Sequence, residues 1–337
     1  MQGDGLVALT TQLALHTLGI PSSGLDASAK APPASLNDTD DPRVYALSAA
    51  SVRLFSDLGV WQQLRDSQQC PVYEMHVWAA PAQPQALKLN AMSQGRSELC
   101  CMVSHQDLIA ALRHSVAGIR GQVAPSALNG TDARRLCLVA EGTRSRTRQQ
   151  LGMKTKRYVY EQVALVGSWR CEHTHGRVAR QWFLGEQGVL ALLPLADPHV
   201  VSMVWSMPSS MAQEFRASHA TAQAEQLSAL SRGVLGELTW PDAQLRLALS
   251  PLQYLMAQDW VCEHDNTRYV LLGDAAHAVH PLAGLGLNLG LGDVACLMRL
   301  WSQRGNYWDP HLYHAYVRER QAAAYKVAAL TDGLART

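Results

Sequence analysis

The stretch VLLGDAAHAVHPLAGLGLNLGLGDV, residues 270–294, restricts the fold of this chain more than any other. The apolar run YVLL ends at Gly273-Asp274, and small residues and glycines then lead into an apolar helix predicted over 286–303, with Asn288 in its first turn. Open α/β sheets bind ligands at the carboxyl ends of their strands. A carboxylate there can accept hydrogen bonds from polyol hydroxyls, and a loop with little side-chain bulk lets backbone amides approach a flat or anionic group. The stretch therefore predicts a strand, a ligand-binding loop and a helix of an α/β fold.

A second glycine motif lies at the start of the chain. Gly3, Gly5 and Ala8 fit the pattern G-x-G-x-x-[GA] before an apolar helix predicted over 6–18. Asp26 follows Gly3 by 23 residues, close to the roughly 20-residue offset expected for an acid that binds a ribose hydroxyl. Only Met1 and Gln2 precede Gly3, so the first strand of a nucleotide-binding fold is missing or truncated. The alternative is a short glycine turn before an ordinary helix.

The remaining elements predict a split domain. Helices are predicted over 48–64, 104–116 and 210–235, with a last helix that opens at Asp309-Pro310. Residues 21–42 are predicted to be mostly loop, 134–142 and 268–272 to be buried strands, and 157–206 to be β-rich. Because α/β texture occurs at both ends with a β-rich part between them, the chain is expected to carry a nucleotide-binding domain that is interrupted by a substrate domain.

Composition excludes several classes of protein. The net charge of +1 gives no basic surface for nucleic acid. The seven cysteines are odd in number and irregularly spaced, with one vicinal pair, Cys100-Cys101, so reduced thiols in a cytoplasmic protein are expected. No apolar run reaches the roughly 18 residues of a membrane span, and the N-terminus has no signal-peptide pattern. Peripheral contact with the inner face of a membrane remains open, since the segment 146–157 is basic, although a solvated face is the simpler interpretation.

The long signature at 270–294 resembles the second flavin-binding signature of class A FAD-dependent aromatic monooxygenases, the p-hydroxybenzoate hydroxylase-like enzymes. Within this class it is most similar to the ubiquinone-biosynthesis hydroxylases, which act on polyprenylated phenols. Further segments agree in order along the chain: DPRVYALSAASVRLFSDLGVW (41–61), AEGTRS (140–145), LALLPLADPHVVSMVWS (190–206) and the terminal TDGLAR.

The resemblance implies the fold, the chemistry and the cofactor site. It implies a Rossmann-like FAD-binding domain formed by residues 1–72, 98–156 and 262–337, and a β-rich substrate domain formed by 73–97 and 157–261. It implies an oxidoreductase in which NAD(P)H reduces FAD and O2 serves to hydroxylate the phenol, with other ubiquinone-pathway proteins as possible partners. The residues implied to contact FAD are Gly3, Gly5, Ala8, Asp26, Arg43, Gln106, Glu141, Gly142, Gly273, Asp274, Pro281, Gly284, Gly286, Leu287 and Asn288. No catalytic residue is identified, because the cofactor carries most of the chemistry.

The chain departs from the family pattern at several points. Glu141-Gly142 stands where the family has Asp-Gly, and Leu285 replaces a polar residue between two glycines. The stretch between helix 104–116 and strand 134–142 is shorter than the β-meander that the family has there. Relatives also continue with more helix after the position of Thr337. These departures keep two alternatives open, namely a non-catalytic scaffold of the ubiquinone pathway and a truncated fragment of an active enzyme. A plain NAD(P) dehydrogenase is a more distant alternative.

Three further groups of residues have both a functional and a structural interpretation. His277 and His280 with Asp274 could hold a metal, but their glycine-rich surroundings favour a flavin loop. Cys171, His173 and His175 alternate as on one strand face, which favours an ordinary strand over a zinc site. Large aromatic residues could line a substrate pocket or form the core of the β-rich domain, and the core is the favoured interpretation: Trp182, Trp205 and Tyr254.

Overall fold

The computed structural model describes residues 1–22, 41–79, 86–119, 134–240, 247–279, 285–304 and 306–335. Within them the helices are α1 (Leu6–Thr17), α2 (Ala49–Asp57), α3 (His105–Ile119), α4 (Arg146–Gln150), α5 (Ser209–Ala217), α6 (Ala220–Leu230), α7 (Leu285–Arg304) and α8 (Pro310–Ala335). The strands are β1 (Val44–Leu47), β2 (Cys70–Val72), β3 (Glu74–Trp78), β4 (Leu87–Asn90), β5 (Cys100–Ser104), β6 (Arg135–Val139), β7 (Thr155–Cys171), β8 (Val178–Phe183), β9 (Val189–Pro194), β10 (Val200–Pro208), β11 (Leu238–Thr239), β12 (Ala248–Ala257), β13 (Val261–His264), β14 (Thr267–Leu271) and β15 (His277–Ala278).

A small sheet joins the two ends of the chain. Its order is β13-β14-β6, and β14 runs parallel to β6, as expected for a nucleotide-binding fold. Gln2 extends this sheet by one parallel bridge to β6, because its N–H donates to the Leu138 carbonyl and its carbonyl accepts from Ala140 N, both at 2.8 Å. Gln2 therefore lies beside β6, on the side opposite β14, where a further parallel strand of such a sheet lies.

A second sheet, of order β1-β5-β2, is antiparallel and was not predicted from the sequence. It lies between residues that are far apart in the chain, since Val44 of β1 pairs with Ser104 of β5. The helix expected over 48–64 is shorter than predicted. It begins after Ser48, whose hydroxyl accepts from Ser51 N, and the chain leaves it through Gly59, which has a φ of +71°.

The β-rich part forms one large, mostly antiparallel sheet. Its order is β15-β12-β7-β10-β9-β8-β3-β4, with β11 beside β7 and a single parallel pair, β3 with β8. Helices α5 and α6 pack on one face, which we call the outer face, through Ala212, Phe215 and Leu227. The opposite, inner face packs against the β1-β5-β2 sheet through a cluster that includes Ala179 and Met102.

Trp182 and Trp205 belong to the core of the β-rich part, as favoured from the sequence, whereas Tyr254 packs in the other core. Trp182 and Trp205 are each 1% exposed in the core of the outer face, and Trp182 stacks on Trp78 with ring centroids 4.7 Å apart. Tyr254 is buried in the core of the nucleotide-binding part. Among the helices of the described residues, none combines the length and the apolarity that a membrane span requires.

The expected strand face with Cys171, His173 and His175 is wrong. Strand β7 ends at Cys171, and the two histidines follow in the connection to β8. His175 is buried, and its Nε2 lies 2.9 Å from the Leu195 carbonyl and 3.0 Å from the Asp197 carbonyl. His175 is thus a core histidine that ties one turn to the next. Within the described ranges, no three His, Cys, Asp or Glu side chains come together as a metal site.

Candidate functional site

Gly3 brings the N-terminal glycine motif against the end of β6. Its φ of +114° is a conformation that favours glycine, and a Cβ built on it would lie 2.3 Å from the Ala140 carbonyl oxygen. The backbone therefore approaches the Ala140–Glu141 peptide more closely than any side chain allows. The first glycine of the motif is required by the protein's own packing.

Replacing Gly3 by alanine is expected to lower the free energy of unfolding by about 3 kcal/mol, from backbone strain and overlap with Ala140. The control is Gly19→Ala, because Gly19 also has a positive φ, +66°, but has open space around its Cβ position. The control should cost only about 1–2 kcal/mol. Urea denaturation followed by circular dichroism measures both, and equal losses would contradict the close approach at Gly3.

Gly5 has a different environment from Gly3. It precedes α1 at the N-cap position with an ordinary φ of −80°, no side chain caps the helix, and a Cβ on Gly5 would meet nothing within 4 Å. The first turn of α1 therefore directs its backbone N–H groups and the positive end of the helix dipole into open space. Such a helix start is an anion-binding site, and a side chain at Gly5 would fill it.

Val7 joins the helix start to the second signature. A Cβ on Gly273 would lie 3.2 Å from Val7 Cγ2, and one on Gly290 would lie 2.8 Å from the same atom. These two glycines therefore allow α1, the turn after β14 and α7 to pack closely. Ala8, one residue further, is fully buried in α1. The structure thus brings together the N-terminal motif and the long signature, which are about 270 residues apart in the chain.

Asp274 and Arg43 face the same cleft. Protein surrounds the Asp274 carboxyl and raises its pKa, while the charges of His277 and Arg43 act to lower it. Asp274 is nevertheless solvent-exposed, so its carboxylate is accessible to a ligand. Burial alone would lower the pKa of Arg43, but its bonds to Asp41 and the charges of Asp41 and Asp274 raise it. An acid and a permanent cation are therefore combined in one cleft.

A chain of polar side chains holds Arg43. Both Asp41 carboxylate oxygens accept from Arg43 Nε, at 2.9 and 2.8 Å, and His105 Nε2 lies 3.8 Å from Asp41 Oδ2. His105 Nδ1 is hydrogen-bonded to the Tyr45 hydroxyl at 2.9 Å, and burial raises the pKa of Tyr45 to about 12. Gln106 follows His105 in the first turn of α3 and is half-buried. Asp41, His105 and Tyr45 were not identified as site residues from the sequence, whereas Gln106 was.

Glu141 and Gly142 follow β6 directly. The Glu141 carboxylate accepts from Ser145 Oγ at 2.7 Å and from the backbone and hydroxyl of Thr147 at 2.9 and 3.0 Å, so it caps α4. Gly142 has a φ of +75° and open space around its Cβ position. Both carboxylate oxygens of Glu141 are therefore engaged within the protein, and Gly142 is the open part of this turn.

The first turn of α7 is tied to β1 by Asn288. Its Nδ2 donates to the Ala46 carbonyl at 2.8 Å, and its Oδ1 accepts from Ser48 N at 2.9 Å and Ser51 Oγ at 2.7 Å. Gly286 has open space at its Cβ position, and Leu287 packs partly on the core. The structure therefore places these positions next to the strand that follows Arg43. Three predicted site residues lie outside the described residues: Asp26, Pro281 and Gly284.

A buried charge network supports the Gly273-Asp274 turn. Asp293, on the buried side of α7, is fully inaccessible, and its Oδ2 accepts from Gly273 N at 2.9 Å and lies 2.7 Å from His277 Nε2. Its Oδ1 accepts from Arg320 Nε at 2.8 Å. His277 therefore pairs with an acid inside the protein, and His280, with which it was grouped as the disfavoured metal site, lies outside the described residues. The sequence signal was an acid on the apolar stripe of a helix.

Arg148 is the one basic residue of the segment 146–157 that departs from the expected solvated face. It is 3% exposed, and its guanidinium donates to the Ala275 and Thr143 carbonyls, both at 2.7 Å. Burial lowers its pKa. Arg148 therefore fastens the loop after β6 to the turn after β14, while the other basic residues of this segment are exposed: Arg146, Lys154, Lys156 and Arg157.

The glycines separate into two groups. Gly3, Gly273 and Gly290 are needed because protein atoms crowd their Cβ positions, whereas Gly5, Gly142 and Gly286 face open space. Crowding explains the first group, and the φ of +75° also favours glycine at Gly142, so only Gly5 and Gly286 of these six have neither a crowded Cβ position nor a positive φ. The second group, the uncapped start of α1 and the charges of Arg43 and Asp274 form a cradle that fits a ligand with an anionic diphosphate and a hydroxylated chain, which are the parts of an FAD molecule.

Comparison with known proteins agrees with this geometry. A family model described as "FAD binding domain" matches residues 3–331. The chain is 28% identical to "Ubiquinone biosynthesis monooxygenase COQ6, mitochondrial" of Danio rerio, over 79% of this chain and 65% of that protein, which is less than two thirds of its length. It is 29% identical to "3-demethoxyubiquinol 3-hydroxylase" of Escherichia coli strain K12, over 91% of this chain and 80% of that protein. Its fold is similar to that of pqsL, a probable FAD-dependent monooxygenase from Pseudomonas aeruginosa, with a TM-score of 0.74 and 18% identity over 99% of this chain and 94% of the other.

Proposed function

We propose, from the premise that this chain belongs to the FAD binding domain family, that it is an FAD-dependent monooxygenase which hydroxylates a polyprenylated phenol of ubiquinone biosynthesis with NAD(P)H and O2. One observation carries the proposal. The start of α1, the Gly273-Asp274 turn and the first turn of α7 converge around glycines that no protein contact requires. Open space in front of an uncapped helix start, together with an acid at a strand end, supports a ligand that carries an anionic group and hydroxyls.

The cofactor would be held by groups of different chemistry. The N–H groups at the start of α1, next to Gly5, would bind the diphosphate, and Asp274 would accept hydrogen bonds from the ribityl hydroxyls. Arg43, fixed by Asp41, would lie beside the flavin as a permanent cation. The open positions at Gly142 and Gly286 would admit the rest of the molecule, and the backbone near Leu287 and Asn288 would line the ring.

The bound FAD would supply the redox chemistry, which is to take a hydride from NAD(P)H and to use O2 for hydroxylation. The protein's own contribution would be to orient the phenol and to exclude water. We also propose that residues 73–97 and 157–261 form the substrate domain. The pairing of β3 with β8 supports this division, because it joins residues 74–78 to the β-rich part.

The test is an absorption spectrum of the purified protein before and after addition of FAD, followed by gel filtration. Flavin bands are expected to stay with the protein. NADH or NADPH consumption should then rise when a phenol with a short prenyl chain is added, with an equal amount of hydroxylated product by mass spectrometry. Phenol without added protein, and protein without phenol, are the controls.

Two results would contradict the proposal in different ways. A folded protein that binds no FAD would indicate a non-catalytic scaffold. A flavoprotein that oxidises NAD(P)H without hydroxylating any prenylated phenol would keep the cofactor and exclude the substrate class.

A further inference from the structure

The inner face of the large sheet carries a continuous row of mostly apolar side chains. The register sets Leu87 of β4 opposite Val77 of β3, Val77 beside Gln181 of β8, Gln181 opposite Ala191 of β9, and Ala191 opposite Val204 of β10. Residues paired in this way point to the same face of a sheet. We call this row the inner lane: Leu87, Val77, Gln181, Ala191 and Val204.

Neighbouring residues identify the face on which the inner lane lies. Met75 and Leu193, each two positions from a lane residue on its own strand, pack in the cluster with the β1-β5-β2 sheet. Val44 and Ala46 of β1 belong to the same cluster and follow Arg43 directly. The inner lane therefore runs alongside the row of residues that packs on β1, the strand that follows Arg43.

The inner lane is incompletely covered by the protein. Leu87 is 64% exposed, and Leu89, on the same face of β4, is 37% exposed. Val77, Ala191 and Val204 lie on interior strands and are still only half-buried. Apolar side chains stay partly open on four of the five strands, and Gln181 of β8 between them is buried. The partly open members form a surface that an apolar ligand can cover.

Its length suits an extended isoprenoid chain. Neighbouring strands lie about 4.8 Å apart, so the four spacings from β4 to β10 span about 19 Å. One isoprene unit is about as long as one strand spacing, so each unit of a chain laid across the strands would meet one lane residue. An isoprenoid chain has no polar groups, and four of the five lane residues are apolar, Gln181 being the exception.

We propose that the inner lane binds the prenyl tail of the substrate, which enters at β4 and lies across β3, β8 and β9, with the phenol on the side of the lane where β1 and Arg43 lie. This inference rests on the proposed function, which supplies a prenylated phenol as the ligand. The exposed leucines of β4, Leu87 and Leu89, would then contact the tail, at a place separate from the cofactor site.

The first experiment is photo-crosslinking of the purified full-length chain with a farnesylated phenol that carries a diazirine on its terminal isoprene unit. Crosslinks are expected in the peptides that contain β3 and β4, and an excess of unlabelled farnesylated phenol should remove them. Crosslinks confined to the outer face of the sheet would overturn the proposal. This readout does not require turnover.

The second experiment compares two exposed apolar residues on opposite faces. Leu87→Asn should raise KM for a farnesylated phenol about tenfold, the factor that corresponds to about 1.4 kcal/mol of lost apolar contact, and should leave KM for the tail-less phenol unchanged. The matched control is Val159→Asn, since Val159 is 60% exposed and lies on the outer-face side of β7, at even spacing from Leu165. It should change neither KM.

The outcomes separate the two proposals. Hydroxylation with normal KM values in Leu87→Asn, together with no crosslinks at β3 or β4, would overturn the inner lane and keep the proposed function. Crosslinks at β3 and β4 in a protein that hydroxylates no phenol would support the lane as an isoprenoid site and overturn the proposed function.

Discussion

Replacing Asp293 by alanine is expected to lower the free energy of unfolding by about 3–5 kcal/mol, because it leaves buried partners without an acceptor. Arg320 Nε and Gly273 N both donate to the Asp293 carboxylate, and His277 Nε2 lies 2.7 Å from it. Asp293 itself is fully inaccessible, so water cannot replace the lost bonds. The change would also release the Gly273-Asp274 turn, so weaker FAD binding should accompany the loss of stability.

Guanidinium chloride denaturation measures this effect, with Glu319→Ala as the control. Glu319 also joins α7 to α8, by an ion pair with Arg299 at 2.5 Å, but both members of this pair are about half exposed. Loss of such a surface pair should cost at most about 1 kcal/mol. Asp293→Asn, which keeps the shape of the side chain, should fall between the two. Similar losses in Asp293→Ala and Glu319→Ala would contradict the buried network.

The same network makes stability depend on pH at the acid end. Burial alone would raise the pKa of Asp293, but the charges and hydrogen bonds of His277 and Arg320 lower it below the ordinary value of an aspartate. A carboxyl with a lowered folded-state pKa contributes stability that is fully present above its unfolded pKa, about 3.9, and is lost as the pH falls through the folded value. The difference in stability between the wild type and Asp293→Asn should therefore shrink below about pH 4.

Replacing Gly5 by threonine is expected to reduce FAD affinity about 100-fold, which corresponds to about 2.7 kcal/mol, and to leave the fold intact. The fold should tolerate it because Gly5 has an ordinary φ, its Cβ position is open, and threonine is about as good an N-cap as glycine. FAD binding should not tolerate the substitution, because a branched side chain would occupy the space in front of the α1 N–H groups. Selective loss of ligand binding is the expected signature of a glycine kept for a cofactor.

Quenching of flavin fluorescence on titration with protein gives the dissociation constant, and thermal unfolding gives the stability. Gly118→Thr is the matched control, since Gly118 also has open space at its Cβ position but lies on the exposed surface of α3. It should leave FAD binding unchanged. Unaltered affinity in Gly5→Thr would mean that the diphosphate does not lie at the start of α1, even if the protein binds FAD elsewhere.

Local signals in the sequence identified most helices of the nucleotide-binding part. The helix expected over 286–303 is α7 (Leu285–Arg304), and the Asp309-Pro310 signal marks the start of α8. Such starts are encoded by neighbouring residues, through caps, proline at the first helical position and apolar periodicity. The short strands β1, β2 and β5 were missed because each is stable only when paired with a distant segment, as Val44 is with Ser104.

The sequence by itself determined the family of the fold and the segments that carry the candidate site, because glycine spacing and an acid at a strand end are properties of contiguous residues. Only the tertiary structure separated Gly3, which Ala140 crowds, from Gly5, which faces open space. It also showed that Asp293 and Arg320 support Asp274 from inside the protein. The physical reason is that burial, close approach and the pairing of charges depend on which distant elements pack together, and no local pattern specifies that.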